Sequence, residues 1–166
     1  HLLSKSPAST WFTYYWGVRF LMDTEQYIQK LFDDSGWYEG RNVKVQTNVL
    51  DLFKPAYKNA VKVLKEYGGL TVGEVGAGRD LSASEICFYS RTFDLGKEFD
   101  NYWINVNSLF SVASAHRDHM QLVVDEFNNF YIFTDPDEQL YFGGSFQDTV
   151  NKVLLGINYG NAVNKT

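Results

Sequence analysis

Between His119 and Gly144 the chain alternates short apolar runs with turn-forming clusters, at a spacing too close for helices. His119 to Asp125 and Phe130 to Thr134 read as paired strands around Glu126-Phe127-Asn128-Asn129. Asp135-Pro136-Asp137 makes a second turn, Gln139 to Phe142 a third strand, and Gly143-Gly144 breaks it. Ser145 with Asp148 three residues on then carries a helix-capping signature, and Phe146, Val150, Val153 and Leu154 recur with helical period until Gly156. A meander that turns directly into an amphipathic helix restricts the chain to architectures in which helices pack on an antiparallel sheet.

The first half supplies the other helices. Asp23 can cap a helix with Gln26 as its third residue, and Tyr27, Ile28, Leu31 and Phe32 fall on one face before Gly36. Asn42 to Thr47 alternates as a short extended piece. A second helix is expected from Pro55, with Ala56, Ala60, Val61, Leu64 and Tyr67 inward, Lys58, Lys62 and Lys65 outward, and Gly68-Gly69 as its stop. Leu70 to Val75 and Ile86 to Tyr89 read as strands flanking a flexible glycine-containing loop, and Phe99, Trp103, Val106 and Phe110 predict a helix over 97–110. The order is helix, helix, strands, helix, meander, helix: an α+β fold, mostly antiparallel, in a single domain.

At 166 residues, with 13 Phe, 11 Tyr and 4 Trp, the chain can bury a core without staples. Its one cysteine, Cys87, allows no internal disulfide and reads as a buried structural thiol in a reducing compartment. No apolar run reaches a membrane span, and the opening, rich in aromatics but interrupted by Arg19, does not read as a signal peptide. Residues 1–21 read as an added or upstream extension and 22–166 as the domain. These features point to a cytoplasmic protein.

Charge is unevenly placed. The net charge is −5, but residues 94–148 hold ten acids against only Lys97 and Arg117. From Asp118 to Asp148 there are seven acids and no Lys or Arg. Such a surface repels phosphate backbones, so direct nucleic-acid binding is not expected; it attracts a basic protein.

Catalytic motifs are sparse. His116-Arg117-Asp118-His119 is the only dense cluster of catalytic residue types, and it leads into a strand, where positions three apart face opposite sides. A small hydrolase using His116, Asp118 and His119 is the minor alternative. The glycine-rich run Gly73 to Arg79 has neither the lysine nor the spacing of a phosphate cradle. No metal, no cofactor and no enzyme activity are expected.

Four ordered segments resemble one family: Ser35-Gly36-Trp37-Tyr38-Glu39-Gly40-Arg41; Leu64-Lys65-Glu66-Tyr67-Gly68-Gly69-Leu70; the hairpin Leu122 to Phe133; and Gly143-Gly144-Ser145-Phe146 running to Leu154-Leu155-Gly156. The set resembles the third subgroup of the SUKH superfamily, over about residues 23–160. One departure is that Ser111 to Asp118 holds no Pro or Gly where many relatives turn on such residues. The resemblance implies a SUKH-like α+β domain and an immunity protein, an antitoxin that neutralises a bacterial polymorphic toxin, often a nuclease, inside the producing cell. A non-toxin regulatory module of the same superfamily is the alternative.

Gly36, Trp37, Gly40, Arg41, Gly68, Gly69, Leu70, Ser145, Phe146 and Gly156 carry scaffold roles in this reading. Recognition of a cognate toxin, expected to be a basic nuclease domain, is placed on Asp94, Glu98, Asp100, Asp125, Glu126, Asp135, Asp137 and Glu138, with Phe127 or Tyr131 as apolar anchors. The free protein is expected to be a monomer.

Overall fold

The computed structural model describes residues 23–95, 99, 102, 103, 106 and 108–165. In chain order these form α1 (Thr24–Asp34), a 3-10 turn (Val49–Asp51), α2 (Tyr57–Tyr67), β1 (Thr71–Val72), β2 (Ile86–Asp94), β3 (Phe110–Ala115), β4 (Met120–Val124), β5 (Phe130–Thr134), β6 (Gln139–Gly144) and α3 (Phe146–Leu155). The six strands lie in sequence order in one sheet, and every neighbouring pair is antiparallel. The fold is α+β, as the alternation of the second half requires.

Local chemistry sets the helix ends. The Asp23 carboxylate accepts the Gln26 N–H at 2.8 Å and starts α1. Arg41 donates to the carbonyls of Glu66 (2.6 Å) and Gly68 (2.8 Å), satisfying groups that the end of α2 leaves open. Trp37 Nε1 reaches the Glu66 carboxylate at 3.2 Å, so the segment after α1 is clamped to the end of α2. Ser145 and Asp148 form a reciprocal capping box on α3, and Gly156 ends that helix in the left-handed region at φ 63°. Phe146, one residue past the cap, stacks on Tyr67 with ring centroids 4.7 Å apart and meets Phe130 edge-on.

The core has two sides. On one, Phe88, Phe110, Val112, Leu122, Val124, Phe130 and Ile132 pack against Ile28, Phe32, Ala60, Leu64, Val150 and Val153 of the helices. On the other, Val123, Tyr131, Phe133 and Leu140 pack beneath Leu95, Trp103 and Leu109. The central strands are therefore covered on both faces, and all six residues of β3 are buried.

Several expectations are revised. Half of the helix expected over 97–110 falls outside the described residues; of those described, Trp103 bridges Lys165 and Phe110 opens β3, and none is helical. Phe99 and Trp103 recur at helical spacing because both lie on Phe133, with centroids 5.2 and 5.9 Å away. The extended piece at 42–47 is held by Val43 N–H on the Lys65 carbonyl and a single parallel bridge from Gln46 to Arg91. β1 is shorter than expected and β2 longer, running to Asp94. Cys87 is only half-buried, beside the Thr71 hydroxyl.

The glycine-rich loop is not built for flexibility. Arg79 N–H donates to the Leu155 carbonyl, Asp80 and Leu81 N–H both donate to the Gly156 carbonyl, and Ser84 N–H donates to the Val153 carbonyl, at 2.8–3.0 Å. The loop thus satisfies the last carbonyls of α3. A Cβ on Gly78 would stand 1.9 Å from the Leu81 carbonyl oxygen and 2.8 Å from Gly156 Cα. Close backbone approach is what selects glycine there.

Candidate partner-binding surface

The expected acidic contacts separate according to which end of the sheet they occupy. β3–β4 and β5–β6 turn at one end. The first of these turns holds three consecutive non-glycine residues in the left-handed region, His116 (φ 50°), Arg117 (φ 54°) and Asp118 (φ 67°). Each such residue costs roughly 1 kcal/mol or more, which is the consequence of a turn without Pro or Gly. Its surroundings hold it: His116 Nδ1 is hydrogen-bonded to Ser84 Oγ at 2.8 Å, Arg117 N–H donates to Glu85 at 2.6 Å, and His119 N–H donates to the His116 carbonyl at 3.1 Å. Asp135 N–H donates to the His119 carbonyl at 2.9 Å, tying the second turn to the first.

This pair of turns presents Asp118, Asp135, Asp137 and Glu138, all exposed. Asp137 accepts the Thr134 hydroxyl at 2.6 Å, and Glu138 accepts the Tyr102 hydroxyl at 3.3 Å. Lys165 donates to that same Tyr102 oxygen at 3.1 Å. Four carboxylates and the exposed Arg117 share these interlocked turns, which leaves this end of the sheet net negative.

Glu126 and Phe127 are exposed at the opposite end, beyond the far terminus of β5. The five residues of β5, roughly 17 Å, separate them from Asp135. Glu98 and Asp100 lie outside the described residues.

Asp94, Asp125 and Tyr131 serve the interior. Asp94 and Asp51 both pair with Lys54, whose ammonium is 2.9 Å from Asp51. The bond to Asp94, opposed by burial and aided by the bond to Asp51, raises the Lys54 pKa above the ordinary lysine range. Asp125 is buried and accepts the N–H groups of Phe127 and Asn129, each at 2.9 Å, and the Tyr131 hydroxyl at 3.0 Å. Burial, then the Asp125 charge, pushes the Tyr131 pKa up. Tyr131 is 7% exposed and is a core ring, not an anchor. Replacing Asp125 with Ala removes the acceptor from four donors; a loss of about 2 kcal/mol in urea unfolding is expected, recovered in part in Asp125→Asn, which keeps one acceptor oxygen.

His116, Asp118 and His119 share the left-handed turn, with His116 turned to Ser84 and Asp118 and His119 exposed. Among the described residues, no group of three or more His, Cys, Asp or Glu is placed to hold a metal ion. No helix among them is long and apolar enough to cross a membrane.

One exposed surface went unread in the sequence. Val49, Leu50, Leu52 and Phe53 are 73%, 75%, 47% and 93% exposed. Four apolar residues in five, lying between two periodic segments, are the signal that would have found it.

The sheet is thus covered by helices on one face and by Leu95, Trp103, Leu109 and Val163 on the other. The family model of the SUKH-3 immunity protein matches residues 24–156, and the chain belongs to that family. Neither a curated protein nor a solved structure matches the chain significantly.

Proposed function

We propose that the protein is the antidote to a cognate toxin, that it works in the cytoplasm as a monomer, and that the toxin is a nuclease met by the acidic turns. The family supports an immunity role. The observation that carries the nuclease reading is the placement of Asp118, Asp135, Asp137 and Glu138 on two interlocked turns. A nuclease must present a cationic cleft to the phosphate backbone, and a net-negative end of the sheet steers the encounter with it. No bond is made or broken in this reading; occlusion is sufficient.

Neutralising the cluster tests it. Asp118→Asn, Asp135→Asn and Glu138→Gln together should slow association with the toxin domain about tenfold at low salt, and much less at high salt, in stopped-flow measurements. The dissociation rate should change little. An association rate insensitive to both the substitutions and the salt would remove the acidic turns from recognition.

A further inference from the structure

We infer that the loop Val49–Phe53 is the apolar anchor by which this protein holds its toxin, seated in an uncharged apolar pocket of the toxin domain. This rests on the toxin-binding reading above.

The loop is built to hold apolar side chains in water. Asn48 accepts the Leu50 N–H at 3.0 Å, Asp51 N–H donates to the Asn48 carbonyl at 2.9 Å, and Lys54 N–H donates to the Asp51 carbonyl at 3.0 Å. The one charged side chain within it, Asp51, is 3% exposed and turned inward to Lys54, which also pairs with Asp94 at the end of β2. An ion triad therefore pins the base of the loop and leaves its tip uncharged. Burying Leu50 and Phe53 inward would satisfy the hydrophobic effect; the turn instead directs them out. With the backbone of the turn held by these bonds, only side-chain rotamers remain to be ordered on contact, which suits a binding anchor.

The occupant follows from shape and area. The four side chains expose on the order of 500 Å² of apolar surface, the upper range for a patch on a monomeric protein. A second copy meeting this convex loop by two-fold symmetry would touch tip to tip and bury about 1,000 Å² in total, short of a stable interface. A concave partner encloses the same loop on several sides. With no exposed charge between Val49 and Phe53, the matching pocket is apolar, whereas Glu126 and the distant acidic turns remain for a polar rim and for steering.

The test uses the full chain and a catalytically inactivated toxin domain encoded by the neighbouring reading frame. Leu50→Ser with Phe53→Ser should weaken binding about 30-fold or more, mainly through faster dissociation, with the circular dichroism and melting temperature of the parent. Affinity within threefold of the parent overturns the anchor while leaving the toxin reading intact. A parent chain that does not bind the domain overturns both. Two further arms identify a different occupant and count against the inference. One is a parent dimer in sedimentation that the double variant abolishes; the other is parent co-flotation with phosphatidylglycerol vesicles that the variant loses.

Discussion

Replacing Lys54 with Met should destabilise the protein by about 3 kcal/mol, because it removes the cation that two carboxylates withdrawn from water share. The side chains of Asp51 and Asp94 are 4% and 7% exposed, and Lys54 binds both. The loss should deepen as pH rises from about 4 to 7 in the variant. Taking a cation away from a buried carboxylate disfavours its charged form, so the folded variant is penalised as the carboxylates ionise. The parent behaves differently. Its Lys54 pKa is raised in the folded state, so that contribution is complete below the unfolded lysine value and is lost only at alkaline pH, above about 10.4. Urea melts of both proteins across pH 4–8 read the difference. Parallel curves would mean that the triad contributes little.

Gly78→Ala should cost about 3 kcal/mol, which for a chain of this size lowers the melting temperature by roughly 6–12 °C. The added methyl group would meet backbone, not a yielding side chain: the Leu81 carbonyl at 1.9 Å, Ala83 N at 2.7 Å and Gly156 Cα at 2.8 Å. Relief requires the loop to lift from α3, and lifting breaks the bonds that Arg79, Asp80 and Leu81 make to the Leu155 and Gly156 carbonyls. Gly40→Ala provides the contrast, since nothing lies within 4 Å of a Cβ there and only the positive φ of 81° opposes it. Calorimetry showing equal penalties at the two sites would contradict the close-packing explanation.

What the sequence displayed and what it concealed have a common physical basis. α1, α2, α3 and the last three strands could be read because their caps, stops and periodicities are local: Asp23, the Gly68-Gly69 stop, Ser145 with Asp148, and Gly156 act within a few residues of the element they bound. β3 was hidden because both its faces are buried: Ser111 and Ser114 make the run read as polar, although all six of its residues lie inside. The aromatics just before it follow helical spacing only because they tile one sheet face.

The surface was harder to read for the same reason. A count of acids along the chain weighs Asp94, Asp125 and Glu138 alike, yet Asp94 is drawn into an ion triad, Asp125 is the acceptor that shapes a hairpin turn, and Glu138 stays in water. Burial decides which carboxylates contribute to an outward field, and burial is a property of the fold. The apolar loop was missed for the converse reason: Leu50 and Phe53 resemble core residues in composition, and only the turn geometry directs them outward.

The central claim is that this chain silences a cognate toxin by occupying it. The most direct measurement is the activity of the toxin domain, plasmid digestion on the nuclease reading proposed above, as purified chain is titrated in. Cleavage should cease near one equivalent, and more of the chain should be needed as salt is raised. Digestion that continues undiminished at a large molar excess of folded chain would contradict the account.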